Sequence, residues 1–244
     1  MRRKVLLGIV ICLMLVLAVG CGGSESGDTS ESTNNNEVQN ESSDEGAKDL
    51  VIVDSNYVIQ NGYVMYTVAI ENPNDDYMPE FAAIKVTGKK ADGTIDFSDD
   101  WTISALGPGS TTYWASQAGE GNSTDDDTID ISVSVDSDNW KKSDPKPADL
   151  YTFDNVSVKT DDYGTMKATG EITLTDESVD YGMNGVKEPM IVCVLKDSDG
   201  KIVGGFNGYV DSELSEGQPY VFDIGLSFDA VEYDKAEMYA NPWM

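Results

Sequence analysis

The sequence predicts an all-β protein made of antiparallel β-sandwiches, and three observations carry that reading. From Leu50 onward apolar and polar residues alternate with a period of two, as in Ile129-Asp130-Ile131-Ser132-Val133-Ser134-Val135. Turn signals such as Asn61-Gly62, Asp92-Gly93 and Gly107-Pro108-Gly109 interrupt the apolar runs at short intervals, the pattern of a sandwich or barrel. The second half then repeats the plan of the first. Before Pro145 no stretch holds apolar residues at helical spacing over three turns.

The chain begins with Arg2, Arg3 and Lys4, followed by an uncharged run from Val5 to Val19. As a helix rising about 1.5 Å per residue, that run is shorter than the ~30 Å hydrocarbon core of a bilayer. Its length and flanks suit the apolar region of a signal peptide. It ends in Leu17-Ala18-Val19-Gly20-Cys21, which resembles a bacterial lipobox with Ala18 in place of the commoner leucine. The resemblance implies cleavage before Cys21, lipidation of that cysteine, and anchoring to the outer face of the bacterial cell membrane. Residues 1–20 are thus expected to be a lipoprotein signal peptide. Cys12 goes with it, which leaves Cys193 as the one thiol of the body, unable to form an internal disulfide.

Residues 21–49 read as a lipid-anchored, disordered acidic linker. Between Gly22 and Asp49, Val38 is the only large apolar residue, and eight acids face one lysine. Such a segment cannot bury enough surface to offset chain entropy. Strands are expected at Val51–Val53, Tyr57–Ile59, Tyr63–Ile70, Phe81–Val86, Thr94–Phe97, Trp101–Leu106, Thr111–Ala115 and Ile129–Val135. Asn61-Gly62 and Asp92-Gly93 mark hairpins among them.

The repeat is legible residue by residue. Lys89 to Ile95 (KKADGTI) corresponds to Lys196 to Ile202 (KDSDGKI), each after an apolar strand. Leu-x-x-Gly precedes an aromatic strand in both halves, at Gly109 before Tyr113-Trp114 and at Gly217 before Tyr220 to Phe222. Both copies close near a tryptophan, and the second carries extra residues within Thr175 to Lys187. Residues 50–140 are expected to be the first domain, 141–149 a linker, and 150–244 the second domain.

This order of strands and turns resembles the FxLYD-type domain, a small immunoglobulin-like sandwich of lipoproteins from Gram-positive bacteria. KVTGKKADGTI and CVLKDSDGKI stand where that family has its strand and D-G turn. Val194-Leu195-Lys196-Asp197 occupies the place of the namesake Phe-x-Leu-Tyr-Asp. The resemblance implies two tandem immunoglobulin-like antiparallel β-sandwich domains at the cell surface, with no catalytic residues to carry over.

Composition narrows the chemistry. The chain has 16 basic and 44 acidic residues, no histidine, and a net charge of −28. Loss of Arg2, Arg3 and Lys4 would leave 13 lysines against 44 acids, or −31. Histidine-based nucleophilic catalysis and histidine-ligated metal centres are excluded. Nucleic acid would be repelled. A non-catalytic binding or scaffolding protein of the envelope is the expectation, held to the membrane by its lipid and meeting a protein or glycan partner. The alternatives are a carbohydrate-binding module and an accessory subunit of an envelope transport or secretion system. A transport solute receptor is disfavoured because alternating βα units are missing.

Candidate sites are few. Asp125, Asp126 and Asp127 offer oxygen ligands for Ca²⁺, although no EF-hand spacing follows them and Asp-rich turns occur for conformational reasons alone. Trp101, Trp114 and Trp140 are the candidates for stacking on a sugar. Of the pair Tyr113-Trp114, which point to opposite faces of a strand, at most one reaches the core. No cofactor is expected beyond that Ca²⁺, and no catalytic residue is assigned.

Overall fold

The computed structural model describes residues 46–243, apart from 104, 105, 163, 183, 184 and 227–229. Cys21, the expected signal peptide and all but the end of the expected acidic linker lie outside the described residues. Among the described residues the protein is all-β, with one short 3-10 turn at Ser137–Asn139.

The first copy holds β1 (Val51–Gln60), β2 (Tyr63–Glu71), β3 (Tyr77–Pro79), β4 (Ala83–Lys89), β5 (Ile95–Thr102), β6 (Thr111–Ala118) and β7 (Thr128–Ser134). β8 (Trp140–Lys142) follows. The second copy holds β9 (Tyr151–Thr160), β10 (Met166–Leu174), β11 (Gly185–Lys196), β12 (Ile202–Tyr209), β13 (Tyr220–Leu226) and β14 (Lys235–Trp243). Sheet order in the first copy is β1-β2-β6 and β5-β4-β7; in the second it is β9-β10-β13 and β12-β11-β14. Apart from the short β3-β8 pair, which the second copy lacks among the described residues, the copies share one topology. Even the bulge is repeated, falling between Gly88 and Lys89 in one copy and between Leu195 and Lys196 in the other.

Local chemistry accounts for the hairpins. Asn61 and Gly62 both adopt positive φ (52° and 81°), the geometry of a two-residue turn matched to strand twist. The two D-G turns use one hydrogen-bond scheme: Lys90 N donates to Thr94 O (2.8 Å), and Asp197 N to Lys201 O (3.0 Å). A carboxylate caps each, Asp92 accepting from Thr94 N and Asp197 from Lys201 N, both at 2.9 Å.

Several boundaries differ from expectation. Val51–Val53 and Tyr57–Ile59 are one continuous strand, β1, because the polar residues between them keep pairing with β2. Trp101 and Thr102 extend β5 opposite Ile84 and Ala83, so no separate strand starts at Trp101. Lys141 and Lys142, expected in the linker, form β8 and pair with Met78 and Tyr77. The additional residues of the second copy do not lengthen the connection after β10, 175–184 against 72–82 after β2; they lengthen β11, which has 12 residues where β4 has 7.

Packing joins the copies. β2 is buried on both faces along its length, and so is most of β11. One face of the β1-β2-β6 sheet packs its Val64, Tyr66, Val68 and Ile70 in a core with Ile84, Val86 and Phe97 of the same copy. Met190, Val192 and Val194 of β11 join that same core from the second copy. The opposite face of β11 sets Ile191, Cys193 and Leu195 among Ala168, Ile172 and Phe222. β12 crosses β1, β2 and β6. The described residues accordingly belong to one compact unit.

Candidate functional site

A cleft of about 740 Å³ opens where the two copies meet. The loop from Gly107 to Ser110 and the start of β6 supply one side, and Tyr151, Phe153 and Tyr181 of the second copy supply the other. The segment from Pro145 to Ala148, which connects the copies, runs along it.

Tyr113 of β6 and Tyr239 of β14 line the cleft together, their rings stacked with centroids 3.8 Å apart and planes 21° from parallel. Lys196 Nζ sits over both rings, 5.2 Å from Tyr113 and 5.9 Å from Tyr239. It also donates to Glu237 Oε2 at 2.5 Å, and Lys235 donates to Glu237 Oε1 at 2.6 Å. The Tyr239 hydroxyl donates to Glu237 as well. Burial alone would raise the Glu237 carboxyl, but the hydrogen bonds from Lys196, Lys235 and Tyr239 outweigh it and bring it down to about 2. Burial, with the bond to Glu237, drives the Tyr239 phenol upward.

Asn241 ties this end together. It is buried, donates to Tyr113 O at 2.8 Å, and accepts from the Thr112 hydroxyl at 2.5 Å. Asn207 donates to Ala115 O in the same way. Two asparagines of the second copy thus satisfy main-chain carbonyls of β6, as buried polar groups require.

The loop at the rim is held by Asn72, which is fully buried and donates to Tyr77 O (2.7 Å), Leu106 O (3.1 Å) and Gly107 O (3.2 Å). Asn74 donates to Asn72 Oδ1 at 2.8 Å and to Lys48 O at 2.9 Å. The last stretch of the acidic linker is thereby fastened beside Asp75, a residue of the cleft. The buried bonding of Asn72 has little local signal in the sequence, because two of the three carbonyls it reaches lie more than thirty residues away.

The titratable groups lining the cleft are Asp75, Lys146 and the tyrosines. Burial pushes Tyr181 up to about 12 and raises Tyr151 as well, so these phenols stay neutral. Lys146 Nζ lies 5.5 Å from the centre of the Tyr181 ring. Its stem rests on Gly107, where a Cβ would meet Lys146 Cγ at 2.6 Å. Ring faces, one carboxylate, one ammonium and main-chain groups are what this cleft offers, an inventory suited to binding.

The residues expected from sequence are dispersed. Asp127 is 8% exposed, and its Oδ2 accepts from Thr124 N (2.9 Å) and Lys90 Nζ (3.1 Å). Hydrogen bonding from Thr124, against burial and helped by Lys90, lowers its carboxyl. Asp125 and Asp126 are exposed beside it. Among the described residues no group of three or more His, Cys, Asp or Glu converges to hold a metal ion. Trp114 is 2% exposed and lies against Trp243, 5.6 Å between ring centres. It is a core residue and presents no face to a sugar, which corrects the expectation. Trp101 is 43% exposed near the end of β5, and Trp140 is half-buried on β8.

A second gap between the copies, lined by Met65, Met166 and Phe206 among others, has room for about 30 Å³, the scale of a water molecule. Among the described residues no helix is long and apolar enough to cross a membrane. No family model matches the chain, and no curated protein matches it.

Proposed function

We propose that the protein is a lipid-anchored binding protein of the bacterial envelope, non-catalytic, whose binding site is the cleft between its two copies. The observation that carries this is the shared construction of the cleft. Tyr113 comes from the first copy and Tyr151, Phe153, Tyr181 and Tyr239 from the second. A pocket at a domain junction, with ring faces and a few fixed polar groups, is where ligand sites concentrate. Anchoring at Cys21 rests on the lipobox resemblance, and the reach of the site on the acidic linker. The FxLYD-type resemblance supports the same surface location.

The test is made on whole cells. Changing Cys21→Ser should abolish incorporation of a labelled fatty acid into the protein. A photo-crosslinking residue at Thr111, exposed on the cleft, should capture a partner or block uptake of a labelled ligand. The same residue at Ser98, on the outer face of the β5-β4-β7 sheet, should not. Equal crosslinking from both positions, or fatty-acid labelling unchanged in the Cys21→Ser chain, would overturn the reading.

A further inference from the structure

We infer that the cleft recognises an alkylammonium group, a positively charged amine carried on an aliphatic stem. The inference deepens the proposed binding function and rests on it. Three observations point the same way. The aromatic lining consists mainly of tyrosine, whose ring face attracts cations through its quadrupole. The protein already uses these faces for that purpose: Lys146 sits over Tyr181 at 5.5 Å, and Lys196 over Tyr113 and Tyr239 at 5.2 and 5.9 Å. The net charge of −28 then concentrates cations around the whole molecule and repels anions.

Within the cleft the charged residues have opposite effects on such a guest. Asp75 is the one carboxylate among the lining residues and supplies a counter-charge. Lys146 is the one lysine among them and occupies the Tyr181 face. Lys146 is therefore an internal competitor, an ammonium group standing where the guest's would stand. A neutral sugar would respond differently, since it gains nothing from the removal of a positive charge.

The experiment uses the full chain, purified in a nonionic detergent, at constant ionic strength. Binding of choline and of N-acetyl-lysine methylamide is followed by calorimetry, with dimethylbutanol, the neutral isostere of choline, as control. Saturable binding of either amine, and none of the isostere, is expected. Preference for choline would identify a small-molecule source, and preference for the lysine compound a basic segment of a partner protein. Lys146→Met, which keeps the stem on Gly107, should tighten binding about threefold, and Asp75→Asn should weaken it by a similar factor. Equal binding of dimethylbutanol, no amine binding, or affinities unmoved by both substitutions would overturn the inference. Crosslinking from Thr111 on cells would still stand in that case, so loss of the ligand class is distinguishable from loss of the site.

Discussion

Gly205 decides how closely the two copies approach. It lies on β12, and a Cβ built there would meet Cys193 O at 2.6 Å and Thr67 Oγ1 at 2.9 Å. The first contact is within its own sheet and the second is across the junction. Neither can retreat without moving a strand. Gly205→Ala should cost about 1–3 kcal/mol in urea denaturation, the range for overpacking a filled interior, and an unchanged midpoint would show that the sheets can part freely. Cys193, its neighbour on β11, is fully buried, and burial pushes its thiol up to about 12. It should resist a thiol reagent at pH 8 while the protein is native and react only on unfolding. At this scale the sequence was partly readable. An apolar run around Cys193 announced a buried strand. The burial of Trp114 and the inward turn of Asp127 did not announce themselves, because each depends on a partner, Trp243 or Lys90, distant along the chain.

β14 carries the clearest electrostatic signature of any strand. Glu237 is depressed from 4.5 to about 2 by Lys196, Lys235 and Tyr239 acting against burial. A carboxyl lowered on folding contributes stability that is complete above its unfolded value and is lost as pH falls through the folded one. Thermal unfolding followed from pH 5 down to pH 2 should therefore show a loss that Glu237→Gln lacks, the two proteins converging at the acid end. Parallel curves across that window would separate Glu237 from the acid response. Lys196 works in the other direction: burial lowers it, the bond to Glu237 more than restores it, and the net shift is upward. Its contribution is whole below 10.5 and declines as pH rises past that value. Among the elements, hairpins were the most legible because their chemistry is local: Asn61-Gly62 and the two D-G turns fold as their residues dictate. β3 and β8 were not legible, being three-residue strands that find each other across more than sixty residues.

The whole molecule should unfold as one. A core that contains Val64 and Ile84 of the first copy along with Met190 and Val194 of the second leaves neither copy a complete interior alone. Three of the four tryptophans, Trp101, Trp114 and Trp140, report on the first copy, while Cys193 labelling reports on the second. Their urea midpoints should coincide, and two separated transitions would mean that each copy folds independently. The internal duplication was plain in the sequence, but the junction was not, since periodicity says which face of a strand is apolar and not what covers it.

The junction has a consequence for the order of the two halves along the chain. Val192, Val194, Gly205, Asn207, Tyr239 and Asn241 line the face of the second copy that lies toward the first. By strand register their counterparts in the first copy are Lys85, Thr87, Ser98, Asp100, Ser132 and Ser134, on an outer face where Lys85, Ser98, Asp100, Ser132 and Ser134 are exposed. At the far end, the outward face of β10 and β13 carries Lys167, Thr169, Glu171 and Asp223 together with Val221, which is 71% exposed. The two halves are thus alike in topology and not interchangeable. Exchanging the halves along the chain would set the outward face of β10 and β13, where Val221 is exposed beside Asp223, against the charged and hydroxylated face of β4, β5 and β7.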